Sequence, residues 1–155
     1  MINEIKSVKQ LKAEGVVFGI LTAEGNVDGE RTKKLVELSK PMKVTFHRAF
    51  DETKNPFEAL EKIIECGCDI LLTSGQKEKT IDGVDLIKQI NEIADRKIEI
   101  MAGGGITDKN ILEVAKRTGI KSFHGSARKV ISGNENYIAD EKMIREIKMQ
   151  ISNLL

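Results

Sequence analysis

Five short apolar runs recur along the chain, at residues 15–21 (GVVFGIL), 43–50 (KVTFHRAF), 69–75 (DILLTSG), 98–105 (IEIMAGGG) and 121–127 (KSFHGSA). Each is rich in β-branched residues and turns polar or small at its downstream end, the pattern of a buried strand with a functional tip. Successive starts lie about 23–29 residues apart, the length of one strand plus one helix. The intervening stretches 27–39, 56–65, 84–94 and 108–118 carry apolar residues at helical spacing, and similar patterns at 2–13 and 140–154 flank the repeat. Pro56 stands at a first helical position, and Asp108 follows a Gly-rich loop into a helix. Strict alternation predicts parallel strands joined by right-handed crossovers. A doubly wound open sheet and a (β/α)8 barrel both satisfy it. The spacing suits a lean barrel, but three further units of roughly 75–90 residues would be needed to close one. The chain also opens on a helix with no strand before it, as if the repeat were entered partway. The expectation is a single α/β domain over residues 1–155: a partial TIM barrel of about five parallel strands alternating with helices. The stretch 132–139 reads as a loop into the last helix.

Composition narrows the partners. Lys and Arg number 25 against 24 Asp and Glu, a net charge of +1, which argues against a basic nucleic-acid surface or a polybasic membrane anchor. No apolar run approaches the ~18–20 residues of a membrane span, and the N-terminus has no signal-peptide core. Two Cys in one short stretch make no disulfide framework, so a reducing cytoplasm is expected.

In parallel α/β folds ligands sit at the carboxyl ends of the strands. Those ends present His47, Arg48 and Asp51; Ser74, Gly75 and Gln76; Gly103, Gly104 and Gly105; and His124, Ser126 and Arg128. Both histidines of the chain fall at such ends. His47 and Arg48, read as neighbours on one strand, should point to opposite faces, with Asp51 able to orient either. Gly103–Gly105 allow backbone N–H groups to approach an anion, and Gly125–Arg128 follow one unit later. Paired loops after the last strands are where barrels commonly hold phosphate, with Arg128 placed to add a charge-assisted contact. Ser74 and Gly75 would line the mouth. Catalytic candidates are His47, Arg48 and His124, suited to acid–base chemistry on a small anionic metabolite. No paired carboxylates and no nucleophile–base arrangement are legible, so no reaction is named. Cys66 and Cys68, two residues apart, could hold a soft ion such as copper(I). Their place at the amino end of a strand, opposite the mouth, and the helix-terminating Gly67 favour core filling.

Taken together, GVVFGILT (15–22), VTFHRAFD (44–51), LTSG (72–75), IMAGGG (100–105) and FHGSAR (123–128) resemble the CutC family of copper homeostasis proteins. The resemblance spans nearly the whole chain and implies a cytoplasmic TIM barrel, of which these would be the fourth to eighth strands. It carries over the mouth residues His47, Arg48, Ser74, Gly75, Gly103, Gly104, Gly105, His124 and Ser126. Cys66 and Cys68 match no family motif, so no copper role transfers to them. Three functions follow as expectations: a copper homeostasis protein binding copper(I); an enzyme or binding protein for a small anionic or phosphorylated metabolite; and a truncated product without autonomous activity. Open barrel edges at the first and last strands predict self-association.

Overall fold

The structure is a computed structural model and describes residues 1–130 and 137–152. Five parallel strands, β1 (Gly15–Phe18), β2 (Lys43–Phe46), β3 (Ile70–Thr73), β4 (Glu99–Gly103) and β5 (Ser122–His124), form one sheet in the order 1-2-3-4-5. That order decides between the two expected architectures. A doubly wound sheet reverses direction at a switch point, whereas here every crossover steps the same way, as in a barrel wall. The barrel is not closed.

Alternation along the strands sorts the two faces. Val44, Phe46, Leu71, Thr73, Ile100 and Ala102 are buried, and they are brought level by the pairs Phe46↔Leu71, Leu71↔Ile100 and Thr73↔Ala102. They pack under α2 (Gly29–Ser39), α3 (Pro56–Glu65), α4 (Val84–Ala94) and α5 (Ile111–Thr118). Leu60, Ile63, Ile87, Ile90 and Ile111 are fully enclosed in that layer, each contributing about 1.5–3 kcal/mol. Capping fixes the helix starts: Asp28 accepts from the Arg31 N–H at 3.0 Å. Asn55 accepts from Phe57 N–H at 3.1 Å, ahead of Pro56.

The strands stop earlier than the sequence suggests. β1 ends at Phe18 and β2 at Phe46, after which Arg48–Glu52 form a 3-10 turn. Helix α1 covers Ile2–Gln10. The stretch expected to open a helix at Asp108 instead forms a turn closed by Asn110, whose side chain accepts from Thr107 N–H and donates to the Gly105 carbonyl. The helix begins only at Ile111, so its N-terminus is set back from the glycine triplet. Within the expected loop at 132–139, Tyr137–Ala139 form a strand. β6 (Arg128–Val130) and β7 (Tyr137–Ala139) pair as an antiparallel ribbon ahead of α6 (Glu141–Ser152), while residues 131–136 and 153–155 lie outside the described part. No described helix is long and apolar enough to cross a membrane.

Candidate functional site

The loop after β2 and the end of β3 with its loop converge on one carboxylate. Asp51 Oδ1 accepts from Thr73 Oγ1 at 2.5 Å and Gln76 N–H at 3.1 Å. Oδ2 accepts from Arg48 Nε at 2.7 Å, Ser74 Oγ at 2.8 Å and Ser74 N–H at 3.0 Å. The Asp51 side chain is 4% exposed and that of Arg48 43%. Burial alone pushes the Asp51 carboxyl up; Arg48, Thr73 and the N–H groups of Gln76 and Ser74 together outweigh it and hold the carboxyl below the usual carboxylate range.

Asp51 in turn positions Arg48. With Nε on Asp51, Arg48 Nη2 donates to Ser74 Oγ at 2.7 Å and to the Lys77 carbonyl at 3.1 Å. Nη1 faces the glycine loop: a Cβ on Gly104 would stand 3.4 Å from it and 3.0 Å from Ser74 Cβ. Gly104 and Gly105 have φ of +132° and +71°, so the close approach and the backbone conformation both select glycine. The Gly104 carbonyl accepts from Thr80 N–H at 2.8 Å. Among the described residues the Gly104 and Gly105 N–H groups have no hydrogen-bond acceptor. Lys79 runs alongside, its Cγ 3.6 Å from a Cβ placed on Gly105. The Arg48 guanidinium, the stem of Lys79 and the two glycine amides therefore stand along one stretch of the rim, donor types that anions use.

The opposite-face expectation for His47 and Arg48 is corrected by the early end of β2. His47 follows the open face of the sheet, stacked on Gly19, where a Cβ would come within 2.7 Å of Nδ1. Arg48 has left the strand and lies across the top. His47 Nδ1 accepts from Ala49 N–H at 3.1 Å, so the neutral ring carries its proton on Nε2, free to donate.

Other residues are spread along the rim. Ser74 and Gly75 are buried beneath it. His124 and Ser126 are exposed. His47 follows β2 and His124 ends β5, with two strands between them, on the order of 14 Å apart, and they do not form a pair. The loops after β4 and β5 do touch, since a Cβ on Gly125 would lie 3.2 Å from the Ile106 carbonyl oxygen. The Arg128 guanidinium stacks on Tyr137, 4.1 Å from the ring centre. Sequence reasoning missed Lys79, whose relation to Gly105 depends on a fold-back of residues 76–83 that no spacing rule announces.

Cys66 and Cys68 are buried at the amino end of β3, away from the rim. The Cys66 thiol donates to the Gly29 carbonyl at 3.4 Å. Burial, then Cys66 and Asp69, push the Cys68 thiol up to about 12, and burial raises Cys66 as well. Without a metal, burial favours the thiol form of both, and copper(I) bound there would have to displace those protons. Among the described residues no three His, Cys, Asp or Glu side chains gather as a metal-holding group. The two cysteines are packed as core residues, with the Cys66 thiol spent on a backbone carbonyl.

The family model for the CutC family matches residues 1–129. A CutC family protein of Bacteroides fragilis is 48% identical over 137 residues, covering 88% of this chain and 55% of the relative. One from Parabacteroides distasonis is 44% identical, covering 88% and 56%. The chain thus spans little more than half the length of these relatives. Among solved structures, the copper homeostasis protein CutC of Streptococcus agalactiae superposes with a TM-score of 0.76 at 29% identity, covering 81% of this chain and 61% of that one.

Proposed function

The chain belongs to the CutC family, and on that premise we propose that its strand-end rim binds a small metabolite through an anionic group, a phosphate or carboxylate. The observation that carries this reading is the clamped Arg48, held on three sides with Nη1 left toward Gly104. A guanidinium fixed before the ligand arrives loses little conformational freedom on binding. The free N–H groups of Gly104 and Gly105 add short-range donors, and Lys79 adds charge that Asp51 does not neutralise. Ser126 follows Gly125, whose loop touches Ile106, whereas Arg128 opens β6 with its guanidinium on Tyr137. His47 Nε2 is the proton donor available to a bound group. The Streptococcus agalactiae relative is described as a copper homeostasis protein; the donor set of this chain supports an oxyanion better than copper(I).

A thermal-shift screen with sodium phosphate and a panel of sugar phosphates tests the reading. Stabilisation of the wild-type chain that disappears in Gly104→Asp, where a carboxylate would enter the corner, supports it. A shift that survives Gly104→Asp places the ligand elsewhere.

A further inference from the structure

We propose that Gln76 is a positioning residue of the rim: it fastens the turn that carries Arg48 and Asp51, and so sets the place of the guanidinium before a ligand arrives. The inference deepens the anion reading and rests on it for its effect on binding.

The backbone at residue 76 is the first observation. Gly75 and Gln76 follow one another at φ of +73° and +58°, both in the left-handed region. Glycine enters that region freely, whereas a residue with a Cβ crowds the following carbonyl oxygen. The two residues turn the chain so that the N–H groups of Ser74 and Gln76 both donate to Asp51, at 3.0 and 3.1 Å. N–H groups converging in such a turn form a concave seat for an anion, and here the Asp51 carboxylate occupies it. Glycine at 76 would shape that seat equally well. A glutamine held there against its backbone preference points to a use for its side chain.

That use is a tie to the loop after β2. Gln76 Nε2 donates to the Thr53 carbonyl at 2.6 Å and stands 3.3 Å from Thr53 Oγ1. Thr53 is buried and ends the 3-10 turn Arg48–Glu52, its N–H and its hydroxyl both donating to the Phe50 carbonyl, at 3.1 and 2.7 Å. One residue of the β3 loop therefore fastens the turn at two points, at Asp51 through its N–H and at Thr53 through its amide. Arg48 opens the same turn and donates its Nε–H to Asp51. A single fastening at Asp51 would let the turn pivot and carry Nη1 away from Gly104. The second fastening, two residues on, removes that freedom before binding. Gln76 acts on Arg48 through Asp51 and Thr53, and its side chain is spent on the scaffold.

The Arg48 Nε–Hε resonance of nitrogen-labelled protein, identified by its absence in Arg48→Gln, reports the clamp directly. Gln76→Gly keeps the backbone shape and removes the tie; Gln76→Glu keeps the reach and sets a carboxylate against the Thr53 carbonyl. Both variants should exchange this proton with water about tenfold faster than wild type and bind inorganic phosphate about three- to tenfold more weakly. Val114→Ala, fully enclosed in α5, loosens the core without touching the tie and should leave the exchange at the wild-type rate. Equal protection in wild type and both Gln76 variants would overturn the proposal, whether or not phosphate binds. So would a Val114→Ala chain that speeds the exchange as much as they do. Protection that both variants lose, in a wild-type chain with no affinity for phosphate, would support the tie and remove the anion reading.

Discussion

Arg48 Nε and Asp51 Oδ2 meet at 2.7 Å across a single turn of 3-10 helix, one partner half in solvent and the other enclosed. Asp51 also ties the loop after β2 to the loop after β3 through Thr73, Ser74 and Gln76. Replacing it with Asn keeps the shape but removes the charge that these donors face. Asp51→Asn should destabilise the chain by about 2–4 kcal/mol in urea melts, because several buried donors lose a charged acceptor.

The same carboxylate gives acid sensitivity a direction. Its folded pKa lies below its unfolded value, so the unfolded chain binds the proton more readily. The stability it contributes is complete above the unfolded value, about 4, and drains away as pH falls through the folded one. Melts between pH 6 and pH 3 should show wild type losing its advantage over Asp51→Asn. A gap that stays constant across that range would contradict the assignment.

Gly75 and Gly83 press together under the rim. A Cβ on Gly75 would lie 2.2 Å from the Gly83 carbonyl oxygen, and Gly75 itself has φ of +73°. Gly75→Ala combines a backbone clash with left-handed strain and should cost about 2–4 kcal/mol. Gly25→Ala, also at positive φ but with no atom closer than 3.6 Å, should cost about 1–2 kcal/mol. Chemical denaturation of the two variants compares them directly.

The cysteines predict slow chemistry. Both thiols are buried and pushed up in pKa, so the folded chain should react with a thiol reagent such as DTNB far more slowly than the chain in guanidinium, where both become accessible. Under anaerobic copper(I) competition, Cys66→Ser/Cys68→Ser should leave any affinity of the folded chain unchanged. A large loss in the double variant would restore these residues as ligands.

Alone, the chain should associate with itself through the uncovered strands. Light scattering is expected to show mass rising with concentration, and Val17→Lys should reduce it by placing a charge on the open face. A wild-type chain that stays monodisperse and monomeric across the concentration series would contradict this.

The winding of the sheet was legible because strand and helix periods alternate so regularly; the 23–29 residue spacing favours a barrel wall, and the observed strand order agrees. The rim's membership was legible for the same reason: Ser74, Gly103–Gly105 and His124 stand at the ends of runs. The ends of the strands themselves were not. Phe50, the eighth residue of the β-like run 43–50, is buried in a 3-10 turn because His47 Nδ1 caps Ala49 N–H and bends the chain, a local side-chain bond that residue patterns do not encode. That bend carries Arg48 over the sheet. The helix boundary at Ile111 moved because Asn110 spends its side chain on Thr107 and Gly105. The β6–β7 ribbon was hidden by short strands with weak alternation.

Calorimetric titration of inorganic phosphate into the wild-type chain and into Arg48→Gln, at low and at moderate salt, tests the central claim most directly. Saturable 1:1 binding is predicted for wild type, weakened by salt and reduced at least tenfold in Arg48→Gln, equivalent to about 1.4 kcal/mol or more. Equal affinity in both proteins would remove Arg48 from the site and with it the account of the rim.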